Sequence, residues 1–472
     1  MFGGCAQLAG IDDTSGDGLV AVSLAVERVS IGSTVVRSPQ DLSASSATYL
    51  VADPADPSLV TSVVAVETEP GLWTAPIFDA TPPVVFDLPD GLERQLTLPN
   101  KAIVSAFDVL EHPDPVASAL TDTFTVSATL DTPFAAETFE LLVIGTWTAR
   151  ALEAPLAASL TLAPPTFTVE TMTSLTGRPL EQITPADTAL ILRRSGATLN
   201  GVIEVSPFAQ TPTNALMGSF ATLAADRILS VQIDPITAAN RLGIARPAIT
   251  AGPVFSYSLH AAPGAEVGLN AGPLLTSGLA ALIDTSITAA YPNPFVARSW
   301  SAVLSFSATG SRTVVPNGQT LQITLAAQLQ QRVADPAAGL TLDFPAGIPE
   351  QISIAGQSLS IDNVALTQPT TPVEVTIIVD RPGATLLVLE VRELIPNAAG
   401  DALIPARRLL ATSVESTFVI QPEVFEVGKI YSLRVQTFSG LFLDIANGDV
   451  STRALPVATA FVDSGVFRVV LP

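Results

Sequence analysis

Gly383-Ala384-Thr385-Leu386 repeats a string that already occurs as Gly196-Ala197-Thr198-Leu199. Ile420 follows the later string at the same interval at which Ile233 follows the earlier one. Segments that repeat in a sequence generally fold into repeated structural units. The match therefore predicts an internal duplication of the chain.

Two further correspondences extend the duplication. Tyr431-Ser432-Leu433 matches Tyr257-Ser258-Leu259 at a shorter interval, as an insertion in a surface loop of the earlier copy would produce. Pro294-Phe295 matches Pro133-Phe134. The matched segments are short and apolar, so they predict shared architecture and carry no chemistry of their own.

Short segments in which every other residue is apolar recur along the chain. Leu321, Ile323 and Leu325 alternate with Gln322 and Thr324, a period that is typical of strands with one buried face. The 38 prolines of the 472 residues suit strand edges and turns and disfavour long helices. We therefore predict an all-β fold of tandem immunoglobulin-like or fibronectin III-like β-sandwiches, with short helical turns over 274–283 and 402–410.

The chain is too long for one hydrophobic core, so we divide it into several units. Residues 1–18 read as a flexible tether, and a β module follows over 19–130. Two further modules, over 131–290 and 291–472, are the copies of the duplication. Repeated hairpins are expected at 188–205 and 373–391, each with a turn at the repeated glycine.

The C-terminal part of the chain carries the best family resemblance. Segments 373–379, 384–394, 418–420 and 466–471 resemble strands B, C, E and G of a fibronectin type III domain. In that family a tyrosine at the corner before strand F bonds its hydroxyl back to the main chain, and Tyr431 is the matching residue. Tyr257 is the matching residue of the earlier copy. The resemblance implies a sandwich and says nothing of activity.

Cys5 is the one cysteine, so the chain forms no intrachain disulfide. It stands in Phe2-Gly3-Gly4-Cys5, which resembles the end of a bacterial lipoprotein signal peptide, where small residues precede the lipidated cysteine. The resemblance implies lipidation of Cys5 and export to the outer membrane or cell surface of a bacterium. The membrane would then be contacted through the lipid anchor only.

Composition limits the partners. The net charge is −22, and Lys101 and Lys429 are the only lysines, so phosphate backbones are repelled and nucleic acid is not expected as a partner. Hydrophobic residues are 48% of the chain, yet they are dispersed, and no uncharged apolar run is long enough to predict a membrane-spanning helix. A protein or a glycan remains as the expected ligand class, and the oligomeric state is left open.

Residues that could carry chemistry are few. The two histidines, His112 and His260, are expected on a loop and on a solvent-facing strand position, and no nucleophile, metal or nucleotide motif accompanies them. Trp73, Trp147 and Trp300 are expected in the core, with stacking on sugar rings as the alternative. We predict no catalytic residue, no metal and no cofactor.

These observations favour a non-enzymatic, lipid-anchored protein of a bacterial surface, acting as a structural, adhesive or binding ectodomain. One alternative is a carbohydrate-binding or carbohydrate-processing ectodomain, which needs exposed aromatic rings or two facing carboxylates. A second alternative is a self-assembling filament or sheath subunit that exchanges strands at sheet edges.

Overall fold

The computed structural model of this chain consists almost entirely of β-strands. The residues that it describes are 19–24, 27–31, 35–39, 45–53, 55, 60–69, 72–76, 83–87, 93–97, 104–105, 109–110, 123–125, 137–144, 146–152, 166–168, 171–174, 182–183, 187–196, 198–205, 220–233, 241–242, 254–262, 273–279, 286–298, 300–315, 319–335, 338–360, 364–381, 386–397, 400–444 and 449–472. Cys5, His112 and the tether over 1–18 lie outside them.

The strands are numbered in chain order. Those before residue 130 are β1 (Leu19–Leu24), β2 (Glu27–Ile31), β3 (Val35–Pro39), β4 (Ser46–Ala52), β5 (Val60–Val64), β6 (Val66–Glu69), β7 (Leu72–Pro76), β8 (Val84–Asp87), β9 (Glu93–Thr97), β10 (Val104–Ser105), β11 (Val109–Leu110) and β12 (Thr123–Thr125). The next are β13 (Glu137–Ile144), β14 (Thr148–Leu152), β15 (Thr166–Thr168), β16 (Thr173–Ser174), β17 (Thr188–Ser195), β18 (Thr198–Val205), β19 (Ala221–Thr222), β20 (Arg227–Ile233), β21 (Val254–Ala262), β22 (Pro273–Leu279) and β23 (Ser286–Tyr291). The last are β24 (Ser301–Val314), β25 (Leu321–Val333), β26 (Ala338–Leu342), β27 (Pro349–Ile354), β28 (Gln357–Ser358), β29 (Val364–Thr367), β30 (Val373–Val379), β31 (Leu386–Pro396), β32 (Leu403–Ser413), β33 (Thr417–Ile420), β34 (Ile430–Asp444), β35 (Asp449–Asp463) and β36 (Phe467–Val470).

The period-2 patterns fold as predicted. In β25, Leu321, Ile323 and Leu325 are buried, whereas Gln322 and Thr324 are exposed. This alternation places one face of the strand in the core and the other towards polar surroundings. The all-β prediction is confirmed for the described residues.

One large sheet passes through much of the chain. Antiparallel pairing runs in order from β21 through β24, β25, β35, β34 and β31 to β32. The pairing of β21 with β24 crosses the predicted boundary between residues 290 and 291. The division into modules stays a prediction about folding units, and the strand pairing shows only that the sheet continues through that point.

A second, smaller sheet lies against the C-terminal part of the large sheet. Its strand order is β28-β27-β30-β33. Its buried residues Val375, Ile377 and Phe418 belong to the same hydrophobic cluster as Leu389 of β31 and Leu433 of β34. The C-terminal region is therefore a two-layer arrangement of sheets around a shared apolar core.

The two repeated segments pair differently. The hairpin predicted over 188–205 is present: β17 and β18 are antiparallel neighbours, and Gly196 at their turn has a φ of +56°, which favours glycine. The hairpin predicted over 373–391 is wrong, because β30 pairs with β27 and β33 whereas β31 pairs with β32 and β34. The chain crosses from one sheet to the other between β30 and β31.

Three finer predictions need correction. Both predicted helical turns, over 274–283 and 402–410, fall largely on strands β22 and β32, because pairing with neighbouring strands overrides the weak helical pattern. Segment 466–471 does not flank β34 along its length, since β36 reaches only Ile430 and Tyr431 of that strand, and β35 takes the neighbouring position. Within the described ranges, 3₁₀ turns span Val296–Arg298 and Pro422–Val424.

A strand from the beginning of the chain extends the C-terminal sheet beyond β32. Glu93–Thr97 pairs in parallel with Leu409–Ser413 of β32. Parallel partners cannot be joined by a tight turn, so a strand of this orientation must come from a distant part of the chain. The Gln95 amide, which is 1% exposed, also donates to the Val419 carbonyl of β33 at 2.8 Å.

Candidate functional site

One face of the large sheet carries polar and charged side chains across six strands. We call it the outer polar face; its main members are Ser258, Ser305, Gln330, Thr459, Asp463, Arg434, Glu390 and Arg392. Register places successive members opposite one another, so they share one side of the sheet. The opposite side faces the hydrophobic core.

Hydroxyl and amide groups fill the half of this face nearest β21. Gln328 Nε2 donates to Ser305 Oγ at 2.6 Å, and Thr459 Oγ1 donates to Gln330 Oε1 at 2.9 Å. Ser305 and Thr459 are 1% and 2% exposed. Buried polar groups of this kind lower stability unless they are hydrogen-bonded, and here cross-strand pairs supply the partners.

Asp463 is the centre of the charged half of the face. Its carboxylate accepts from Arg434 Nε and Nη2 at 2.6 and 2.7 Å, and from Arg392 Nη1 at 3.1 Å. It also accepts from the Ala326 amide at 3.0 Å. One carboxylate thus connects β31, β34 and β35 to β25, which is where the large sheet continues into the C-terminal region.

Glu390 is the second buried carboxylate of the face. It accepts from Arg392 Nε at 2.7 Å and from Arg407 Nη2 at 2.8 Å. Burial raises the pKa of Glu390, but attraction to Arg392 and Arg407 outweighs burial, so the pKa lies below its usual value. A general acid of the glycosidase type needs a raised pKa. Glu390 instead has the properties of an ionised structural acceptor.

A separate charged cluster closes the end of the core next to Tyr431. The Glu393 side chain is 4% exposed and accepts from Lys429 Nζ at 2.8 Å and from Arg408 Nε at 2.7 Å. Burial raises the pKa of Glu393, and the hydrogen bonds from Lys429 and Arg408 reverse this and lower it overall. The predicted main-chain bond of Tyr431 is present, because the Glu426 amide donates to its hydroxyl at 2.9 Å.

The described surroundings of Tyr257 differ from this arrangement. It lies in the middle of β21, and its ring stacks on Phe306 with centroids 6.1 Å apart. Residues 254–256 already pair with β24, so Tyr257 stands further into its strand than Tyr431 does. The segment just before residue 254, where the main-chain partner of a corner would lie, is outside the described residues, so the corner at Tyr257 stays a prediction.

Among the described residues of this face, Ser258 and His260 form a hydrogen-bonded pair of the kind that activates a serine nucleophile. Ser258 Oγ and His260 Nε2 are 2.6 Å apart, and both side chains are partly buried. Acyl transfer also needs free N–H donors for the developing oxyanion. The backbone of β21 pairs with β22 on one side and β24 on the other, which uses its N–H groups in the ladders.

The three tryptophans are buried, as predicted. Trp73, Trp147 and Trp300 are 2%, 0% and 8% exposed. Trp300 stacks on Phe295 with centroids 4.7 Å apart and lies 6.2 Å from Trp147. None of the three presents an open ring for stacking on a sugar, so the aromatic platform of the carbohydrate alternative is not formed by these residues.

The described residues form neither a metal-binding cluster nor a membrane-spanning helix. Within the described ranges, no group of three or more His, Cys, Asp or Glu side chains is placed to hold a metal ion. Across the same ranges, no helix combines the length and apolar character that crossing a bilayer requires.

A buried ion pair away from the outer polar face was also missed by sequence reasoning. Arg241 is 4% exposed; its Nη2 donates to Asp380 Oδ1 at 3.2 Å, and its guanidinium also donates to the carbonyls of Phe344 and Ala346. Asp380 in turn accepts from the Ile348 amide at 2.8 Å. This contact, which we call the Arg241 clamp, holds residues 344–348 against the end of β30.

The charged residues of the outer polar face could have been suspected from one signal. Glu390 and Arg392 are two residues apart on β31, so they lie on the same face of the sheet and can pair. Their partners Arg407, Arg434 and Asp463 stand on other strands, so the network becomes visible only once the register is known.

Comparison with known proteins gives little. No family model and no curated protein matches this chain. Among solved structures, an Escherichia coli alpha-2-macroglobulin activated by porcine elastase is similar at 10% identity, over 96% of this chain and 44% of that chain, with a TM-score of 0.15. A Salmonella alpha-2-macroglobulin mutant is similar at 9% identity, over 99% and 40%, with a TM-score of 0.15. This chain spans less than half the length of either, and likeness at this TM-score carries no argument.

Proposed function

We propose that this chain is a non-enzymatic structural or binding protein of a bacterial cell surface. The observation that carries the proposal is that the buried carboxylates of the outer polar face are paired with arginines. Glu390, Asp463 and the three arginines around them bond to one another, and the Glu390 pKa is lowered. A carboxyl group that acts as a general acid needs a raised pKa, and both carboxylates are already engaged by arginines.

The C-terminal region is proposed to be a fibronectin type III-like sandwich. Support comes from its strand order, β27-β30-β33 in one sheet and β32-β31-β34-β35 in the other, which corresponds to A-B-E and C′-C-F-G. The hydrogen bond to the Tyr431 hydroxyl adds to it. Sandwiches of this kind serve as spacers, adhesins and binding modules, so the fold favours no single ligand.

The duplication is likewise kept as a proposal. Ile233 ends β20 and Ile420 ends β33, and both strands belong to small sheets separate from the large one. The strands that carry Tyr257 and Tyr431 both belong to the large sheet. Matched residues thus occupy matched layers, which is the pattern expected of related units.

Anchoring through a lipid on Cys5 is the remaining part of the proposal. Metabolic labelling with an alkyne-bearing fatty acid, in a bacterium that expresses the full-length protein, tests it. Labelling that is lost in Cys5→Ser supports the anchor, and equal absence of label in both proteins rules against it.

The non-enzymatic assignment has its own test. A fluorophosphonate probe labels activated serine hydrolase nucleophiles, so it should leave the purified protein unlabelled. Labelling that disappears in Ser258→Ala but persists in Ser256→Ala would overturn the assignment, since these two serines lie two positions apart on β21.

A further inference from the structure

Strand β5 forms one end of the large sheet. It pairs with β4 along its whole length, from Thr48↔Val64 to Ala52↔Val60, and no other strand among the described residues pairs with it. None of the five residues of β5 is buried, and the Val64 side chain is 66% exposed. Within the described part of the chain, the outer edge of β5 is therefore open to a further strand.

The outward-pointing backbone groups of this edge follow from the ladder. The Leu50 amide of β4 donates to the Pro83 carbonyl next to β8 at 2.9 Å, and Leu50 stands opposite Ser62. Residue pairs of an antiparallel ladder alternate between bonding to each other and pointing apart, so the Ser62 N–H and C=O point away from β4. The same alternation turns the backbone groups of Val60 and Val64 outwards. Three residues thus present donors and acceptors to an added strand.

Two other edges of the molecule are covered by the chain itself. The edge of β32 over 409–413 pairs with β9, and the Val419 carbonyl of β33 accepts from the buried Gln95 amide. Natural proteins protect exposed sheet edges with lysine, proline, bulges or inward-pointing charges. Strand β5 contains no lysine, proline or charged residue, pairs with β4 without a register shift, and has four β-branched residues among its five. Its edge therefore lacks the features that repel a further strand.

We propose that the β5 edge binds an extended segment of a partner protein by strand addition, and that this segment has a β-branched apolar centre between basic residues. Backbone ladder bonds would supply affinity, and alternate side chains would supply specificity. Strand β5 is uncharged, whereas Asp53 and Asp56 precede it and Glu67 and Glu69 follow it. Acidic residues on both sides of the edge favour a segment with Lys or Arg at both ends. This inference goes beyond the proposed surface role, which does not depend on the edge.

The overall charge argues against a second copy of this chain as the bound segment. Each copy carries a net charge of −22, so two copies repel one another. A basic segment is instead attracted, and salt screens that attraction because the Debye length is about 8 Å at physiological ionic strength. Binding of the partner segment is therefore expected to weaken as salt is added.

The test uses full-length protein with Cys5→Ala, so it does not depend on lipidation. The probe is a fluorescein-labelled peptide of alternating threonine and valine between two terminal lysines, and its binding is followed by fluorescence anisotropy. Saturable binding is expected. A peptide with glutamate in place of both lysines should bind more weakly by about tenfold or more, because its charges repel the acidic residues around the edge. A lysine peptide that is N-methylated along its backbone cannot complete a ladder and should also bind about tenfold more weakly or worse.

A pair of variants at Ser62 tests the site within the protein. Ser62→Pro removes an outward N–H and keeps the pairing with β4, because proline is tolerated at edge positions whose N–H faces solvent. It should weaken binding of the lysine peptide by about tenfold or more. Ser62→Ala keeps the N–H and should bind the peptide as the unsubstituted protein does. Circular dichroism checks that both variants fold.

Two results would overturn the site: no saturable binding of the lysine peptide, or equal binding of the lysine peptide and its N-methylated form. Equal binding by folded Ser62→Pro and Ser62→Ala would also overturn it. Tighter binding of the glutamate peptide would overturn the basic character of the partner segment. A concentration-dependent dimer in sedimentation velocity that Ser62→Pro abolishes would overturn the choice of partner in favour of a second copy.

Discussion

The segments 188–262 and 373–435 share a sequence pattern and differ in one strand. In both, the strand that ends at the matched isoleucine, Ile233 or Ile420, belongs to a small sheet. In both, the strand with the matched tyrosine belongs to the large sheet. The first strand differs: β17 stays beside β18 in the large sheet, whereas β30 joins the small sheet.

The difference has a physical source in the later segment. Strand β27, which precedes that segment in the chain, pairs with β30, and its Ile352 lies opposite Ile377. With β33 on its other side, β30 has partners on both edges in the small sheet, and its buried residues face the shared core. A turn signal thus fixes where the chain reverses, while the available partners decide which sheet the next strand joins.

The largest expected loss of stability comes from breaking the Arg241 clamp, which joins the two segments through Arg241 and Asp380. Arg241→Met removes a buried guanidinium and leaves the Asp380 carboxylate, 9% exposed, without its cation. Breaking one side of a buried pair lowers the free energy of unfolding by about 3–5 kcal/mol. Urea unfolding followed by circular dichroism measures the change.

Arg381→Met is the matched control for the clamp. Arg381 donates to the Asp343 carbonyl at 3.0 Å in an exposed position, so its loss should lower stability by less than about 1 kcal/mol. Equal effects of the two substitutions would contradict the clamp.

The next largest effect is on the pH dependence of the free energy of unfolding, to which Glu390 contributes. The pKa of Glu390 is lowered, so its contribution is present above the unfolded pKa of about 4.3 and is lost as pH falls through the folded value. Glu390→Gln is therefore expected to cost about 1.5–3 kcal/mol at pH 7, through its charged hydrogen bonds. The difference from the unsubstituted protein should shrink towards pH 3 in the same unfolding assay.

Glu140 lies on β13, the strand that pairs with β17, and its pKa is shifted in the opposite direction to that of Glu390. Burial raises its pKa more than Arg194 lowers it, so the folded state prefers the protonated form. Its favourable contribution is present below the unfolded pKa and is lost as pH rises through the folded pKa. Glu140→Gln should therefore not lower stability at pH 7, and a loss as large as that of Glu390→Gln would break the comparison.

Some features of this structure can be predicted from the sequence, and others cannot. Alternation predicted the strands and the buried side of β25, and bulk predicted the core positions of Trp73, Trp147 and Trp300, because both depend on local pattern. The bonds of Glu390 with Arg407, of Arg241 with Asp380, and of β9 with β32 join segments whose proximity no local pattern encodes. The charged half of the outer polar face was missed for that reason.

The two matched tyrosines give a smaller contrast. Tyr431→Phe leaves the Glu426 amide without its acceptor and should cost about 1–3 kcal/mol. Tyr257→Phe should change stability by less than about 0.5 kcal/mol, because no hydrogen bond of its hydroxyl is found among the described residues. Thermal unfolding of both variants checks this, and similar losses of stability would support a second corner at Tyr257.

The smallest expected effect concerns the turn between β17 and β18. Gly196 has a φ of +56° and open space around it, so Gly196→Ala should cost about 1 kcal/mol from backbone strain alone. Gly278 has equally open space without a positive φ, and Gly278→Ala should cost nothing or stabilise slightly. Chemical denaturation of the two variants measures the free energy that backbone strain at Gly196 contributes. Equal losses of stability in Gly196→Ala and Gly278→Ala would contradict a left-handed turn at Gly196.

The most direct measurement asks which strand lies beside β30. Cysteines at Glu374 and Val419, register partners of β30 and β33, should react together with a short bismaleimide in the Cys5→Ala protein. Cysteines at Ile378 and Leu387, which a hairpin of β30 with β31 would place opposite each other, should not. Efficient crosslinking of Ile378 with Leu387 instead of Glu374 with Val419 would contradict the two-sheet arrangement of the C-terminal region.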